Sequence, residues 1–145
     1  MGARGAGTLV AEPSDEKGRI AMSFREILRG IVEECGGGIG AALMGSDGVP
    51  IEEVVSERLP EGPLSKDISV AGVEFQRILD DIRKASDGLE AGALEETVVV
   101  LDRMSLIFRP VDPETFLVVV VAANGNLGKA RYLIRSSLYA IRQEL

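Results

Sequence analysis

Apolar residues recur along this chain with two periods, and the switches between them mark out its elements. Phe24, Ile27, Leu28, Ile31, Val32 and Cys35 fall at i, i+3, i+4, i+7, i+8 and i+11, a single stripe along one helix. Ser23-Phe24-Arg25-Glu26 ahead of it has the S-x-x-E form of a capping box, in which hydroxyl and carboxylate each satisfy the other's backbone amide, so the helix is predicted to start at Ser23. Gly36-Gly37-Gly38 stops it, because glycine takes the left-handed conformation after a helix without steric cost.

The pattern then shortens. Residues 39–44 read as a strand, Ser46-Asp47-Gly48 as a tight turn, and residues 49–55 as the returning strand. Pro50 cannot donate a ladder hydrogen bond, which places that strand at a sheet edge. A polar loop, residues 56–66, separates it from a second helix predicted over residues 67–85, with a core stripe of Ile68, Ala71, Phe75, Ile78, Leu79 and Ile82. Three strands follow, over residues 97–101, 104–111 and 115–123, joined by Asp102-Arg103 and Asp112-Pro113-Glu114. The unbroken apolar run from Phe116 to Ala123 implies a central strand covered on both faces. Asn126 is the predicted N-cap of a last helix whose inward stripe is Ala130, Leu133, Ile134, Ser137 and Ile141. Arg135 and Arg142 suit the negative C-terminal half of its dipole.

Short turns between strands make the sheet antiparallel, and an apolar centre on both faces requires helices on both faces. The fold class is thus α/β, an α+β sandwich. Residues 1–22, rich in Gly, Ala and charge and without period, read as a disordered N-terminal arm, leaving a single domain over residues 23–145.

Composition narrows the function. The chain has no histidine, which removes Ser-His and Cys-His nucleophile pairs, the usual acid–base group near neutral pH and the commonest metal ligand. A net charge of -7 argues against nucleic acid or anionic membrane as a direct target, since both need clustered Lys and Arg. One cysteine, Cys35, cannot form an internal disulfide, and no run approaches the length of a membrane span, so the expected location is cytoplasmic.

The glycine-rich segments do not make nucleotide loops. Gly36-Gly37-Gly38-Ile39-Gly40 follows a helix and enters a strand, the reverse of what phosphate binding needs, and Leu43 stands where a third glycine belongs. Gly125-Asn126-Leu127-Gly128-Lys129-Ala130 sits between strand and helix, but Ala123 and Ala130 replace the first glycine and the magnesium-binding hydroxyl of a P-loop. The pairs Glu52-Glu53, Asp80-Asp81 and Glu95-Glu96 point to different sides of their elements and read as solvated surface. No catalytic, cofactor-binding or metal site is therefore assigned.

Candidate binding residues come from apolar positions left over. On the second helix, Val70 and Val73 fall opposite the core stripe, and Arg77, Asp81 and Lys84 continue that side, which reads as a contact surface. Tyr132 and Tyr139 lie off the inward stripe of the last helix; packing against the first helix and a binding role are both open. Thr97, Val98, Val99, Val100 and Leu101 form an expected edge strand whose acidic start limits wrong pairings and whose apolar remainder permits a specific one.

The element order, the hairpin Gly40-Ala41-Ala42-Leu43-Met44-Gly45-Ser46-Asp47-Gly48-Val49-Pro50-Ile51, the strand from Phe116 to Ala123 and the segment Asn126-Leu127-Gly128-Lys129-Ala130-Arg131-Tyr132-Leu133-Ile134-Arg135 together resemble the roadblock family, over residues 23–145. The resemblance implies a five-stranded antiparallel sheet in the order α-β-β-α-β-β-β-α, with one helix on one face and two on the other. It implies a homodimer with paired edge strands and adjacent second helices. It further implies regulation of a small Ras-like GTPase, as in bacterial MglB-like polarity regulators that stimulate GTP hydrolysis, or alternatively a scaffold or assembly subunit without that effect. In either case the chain is expected to be no enzyme and to need no cofactor.

Overall fold

A computed structural model describes residues 13–56 and 68–145. The elements run α1 (Pro13–Glu34), β1 (Gly38–Gly45), β2 (Pro50–Val55), α2 (Ser69–Gly88), β3 (Thr97–Val100), β4 (Met104–Asp112), β5 (Thr115–Ala122) and α3 (Leu127–Glu144). The five strands form one antiparallel sheet in the order β2-β1-β5-β4-β3. As its apolar run required, β5 is central, with residues 117–121 wholly buried. β2 is an edge strand, as Pro50 required.

Period-two alternation sorts the sheet's side chains into two cores. On one face Ala41, Leu43, Ile107, Leu117, Val119 and Val121 pack with Leu28, Ile31, Val32 and Cys35 of the first helix stripe and with Ala130, Ile134, Leu138 and Ile141 of α3. On the other, Ala42, Met44, Leu106, Phe108, Val118 and Val120 pack under α2 alone, through Ala71 and Leu79 with Phe75 beside them. Phe75 and Phe108 stack tilted at 5.2 Å between ring centroids, within the favourable range for aromatic pairs. The face with two helices is therefore sealed, while on the face with one the flanks of that helix are open among the described residues.

Three expectations need correction. The first helix begins at Pro13, so Ser23 lies inside it and not at its start, and the proposed arm of residues 1–22 overlaps ten helical residues. Residues 1–12 and 57–67, which hold all of the predicted loop but Ser56 and the predicted start of the second helix at Asp67, lie outside the described residues. Ile78 is 51% exposed and does not join the core: it continues the heptad-like spacing, but a helix that packs on a sheet without a neighbouring helix buries only a narrow stripe. Leu101 falls outside β3, in the turn its amide closes by donating to the Met104 carbonyl at 2.8 Å.

Local chemistry fixes the junctions. Gly36 and Gly37 carry φ of 75° and 89°, the conformation that ends α1. Their carbonyls accept from the Asn126 and Ala122 amides, each at 2.8 Å, which ties the end of α1 to the start of α3. Asn126 caps α3, its Oδ1 accepting from the Lys129 amide at 2.9 Å. α2 has no side-chain cap of its own; Glu53 of β2 supplies one, its Oε2 accepting from the Ser69 amide at 3.0 Å. A carboxylate at a helix N-terminus also meets the positive end of the dipole.

Candidate interaction surfaces

The five positions singled out on the second helix do share one face of α2. At 100° per residue, Val70, Val73, Arg77, Asp81 and Lys84 all fall within one quadrant of the helix, away from Ala71, Phe75 and Leu79. Val70, at the margin, is half-buried, and the other four are exposed, Val73 to 52%. Ile78, which sequence periodicity assigned to the core, adds a second exposed apolar group on the far side of Arg77 and Asp81. The outer surface of α2 is thus a charged strip bordered by Val73 and Ile78. No signal in the one-dimensional pattern distinguishes Ile78 from Leu79; only the placement of the helix does.

β3 lies at the opposite edge of the sheet from β2. Thr97, Val98, Val99 and Val100 pair with Phe108, Ile107, Leu106 and Ser105 of β4, leaving the other side of the strand without a partner strand among the described residues. Val98 and Val99 lean into the two cores, and Val100 is 68% exposed. Just before the strand, Glu96 holds the guanidinium of Arg131 on α3, with Oε1 2.6 Å from Nη2 and 2.7 Å from Nε. That pair braces the edge strand against the sealed face of the molecule.

The other acidic pairs separate in the same way. Glu52 meets Arg25 of α1 at 3.2 Å while Glu53 caps α2, and Asp80 meets Arg83 at 2.8 Å while Asp81 faces solvent. Three of the six carboxylates thus make ion pairs and a fourth caps a helix, where sequence reading had all six solvated. Among the described residues no cluster of three or more Cys, Asp or Glu could hold a metal ion.

Two clefts occur. One, of about 610 Å³, opens where α1 ends beside β2 and is lined by Arg29, Glu33, Gly37, Ser56 and Asn124. Its two charges pair with each other at 3.7 Å. The other, of about 630 Å³, collects Arg83, Arg109 and Arg142 with Asp87, Glu95 and Asp112, three charges of each sign. Cys35 lies in neither; it is fully buried, its Sγ donating to the Val32 carbonyl at 3.8 Å, and burial pushes its thiol pKa up, against smaller opposing effects of a backbone hydrogen bond and of Lys129. Among the described residues no helix is long and apolar enough to cross a membrane.

No family model matches the sequence, and no curated protein does. Solved structures do. A Roadblock/LC7 domain from Streptomyces avermitilis superposes with a TM-score of 0.68 at 18% identity, over 81% of this chain and 93% of that one. MglC from Myxococcus xanthus is 32% identical over 86% of this chain and all of that one, with a TM-score of 0.61. The chain belongs to the roadblock family. The gliding protein MglB from Thermus thermophilus shares the roadblock fold, with a TM-score of 0.72 at 18% identity over 94% of this chain and 93% of that one. The order of elements, the five-stranded sheet and the division of helices, one against two, are those of a roadblock domain.

Proposed function

We propose that this roadblock domain is a non-enzymatic, cytoplasmic homodimer that binds a small Ras-like GTPase and stimulates its GTP hydrolysis. The observation that carries the reading is Val73, half-exposed beside Arg77, Asp81 and Lys84 on the helix that alone covers its sheet face. A β-branched apolar group held among charges on an unpartnered helix suits a contact that forms and breaks. Similarity to the gliding protein MglB and to MglC supports the reading.

The dimer would form through β3. Two antiparallel copies of an edge strand related by a two-fold axis satisfy each other's backbone groups and bring the exposed Val100 side chains under cover. In hydrolysis the chain would supply contacts and no reacting group. Arg103, in the turn between β3 and β4, is the one arginine of the described residues in a loop, and no neighbouring group orients it as an inserted arginine needs. The GTPase's own catalytic groups would be repositioned instead.

The second reading, a scaffold without effect on hydrolysis, uses the same fold and dimer and gains from that lack of an oriented arginine. One experiment separates the two. The purified protein is mixed with each small Ras-like GTPase of its host, loaded with GTP or GDP, and both complex formation and phosphate release are recorded. GTP-dependent binding with faster release is expected. Binding without faster release leaves the scaffold reading, and absence of binding to every GTPase overturns the proposal.

A further inference from the structure

The outward side of α3 carries a surface that neither proposed contact uses. Tyr132, Arg135, Tyr139 and Arg142 follow one another at i, i+3, i+7 and i+10 and so form one line, with Lys129 and Arg131 flanking it. All six are exposed, Tyr132 to 60% and Tyr139 to 73%. The line from Tyr132 to Arg142 is about 15 Å long. The single acidic residue of α3, Glu144, falls off this side and is half-buried.

Helix stability does not account for the pattern. Arg142 suits the C-terminal end, but Lys129 and Arg131 stand near the N-terminus, where the dipole repels cations. Arg131 and Arg135 are like charges one turn apart, which disfavours the helix further. Arg131 is held by Glu96 and Arg142 Nε donates to the Val111 carbonyl at 2.8 Å, whereas Lys129 and Arg135 make no ion pair among the described residues. A chain with 23 acidic and 16 basic residues thus concentrates four of its cations on one helix side, around two exposed aromatics.

We propose that this side of α3 docks an acidic segment of a partner protein. Carboxylates of the segment would pair with Arg135 and Lys129, and an apolar side chain would lie between the two tyrosine rings. Tyrosine and arginine are the residues that most often carry protein–protein binding energy, because each offers a large rigid surface with a polar end. Four cations on a body of net charge -7 attract a short acidic segment within a screening length but fall short of the extended basic surface that a phosphate polymer needs. α3 lies across the sheet from α2, so both helices can be engaged at once.

The test titrates the full-length protein into a fluorescein-labelled helical peptide bearing a stripe of Glu beside a stripe of Leu and reads anisotropy. The peptide is expected to bind, more weakly as salt rises, and Arg135→Glu is expected to weaken it about tenfold. Tyr139→Ala should weaken it as well, and Val73→Asp, on the other helix, should leave it unchanged. Failure of the wild type to bind the peptide, or equal binding by Arg135→Glu and Tyr139→Ala, overturns the proposal. So does tighter binding, at equal ionic strength, of a thymidine oligonucleotide or of phosphatidylserine vesicles, which would assign the surface to a phosphate polymer or a membrane.

Discussion

Gly72 of α2 lies against the buried thioether of Met44 on β1. A Cβ at Gly72 would overlap Met44 Sδ and stand 3.1 Å from its Cε and 3.4 Å from Phe116 Cε2. Glycine inside a helix costs about 1 kcal/mol relative to alanine, so the residue is retained for the close approach it allows. Gly72→Ala is expected to lower stability by about 1–3 kcal/mol despite the better helix former, because the fully buried Met44 side chain must shift to admit the methyl group. Urea unfolding measures the loss. Combining it with Met44→Ala should recover part of the Gly72→Ala penalty, a non-additivity expected of side chains in contact.

Val73→Asp should leave unfolding within about 0.5 kcal/mol of wild type, since the side chain is half in water. Dimerisation or GTPase binding should be lost. Analytical ultracentrifugation and pull-down with loaded GTPase read the two separately; survival of both would show that the α2 surface is misassigned.

Val100→Lys introduces a charge at the exposed end of the edge strand β3, the device by which natural edge strands avoid pairing. The expected outcome is a monomer with an unchanged circular dichroism spectrum. A dimer that persists with wild-type affinity would place the subunit contact elsewhere.

Asn126→Ala removes the acceptor for the Lys129 amide at the start of α3. A loss of about 1 kcal/mol is expected from denaturant midpoints, with Asn126→Ser recovering most of it.

Cys35 gives a pH dependence of definite sign. Its thiol pKa is raised by burial, so the folded chain holds this proton more tightly than the unfolded chain. The stabilisation is fully present below the ordinary thiol range and is lost as pH climbs above about 8.5, where the unfolded chain deprotonates first. Stability should therefore fall more steeply above that pH in wild type than in Cys35→Ala. The native thiol should react with a maleimide only as fast as the protein opens.

The elements that could be read from sequence were those whose signal is local. The Phe116 to Ala123 run located the central strand, Pro50 the edge, and Asn126 the cap, each through a property of the residue itself. What escaped depended on partners distant along the chain. Glu53 resembled its solvated neighbours until the fold brought the Ser69 amide to it. Ile78 satisfied the core period, yet nothing in a single helix's spacing tells how many neighbours will flank it. The two tyrosines of α3 fitted packing against α1 as well as exposure, and the choice depends on the distance between two helices. The start of α1 was missed because residues 13–22 lack an apolar stripe, while a plausible cap at Ser23 lay further along.

The two margins of the sheet differ in kind. β2 begins with a residue that has no amide hydrogen, carries Glu52 and Glu53 in succession, and is distorted by an irregularity in its register with β1 near Met44. β3 is regular throughout and bears valine. A protomer with one edge suited to pairing and one ill suited to it acts as a chain terminator: in the dimer proposed above, joined through β3, both outer ends of the doubled sheet would be β2. Assembly by that route would stop at two without a partner or a limiting concentration to halt it, so that a valine-lined edge could stay available without the hazard of growth into a fibre.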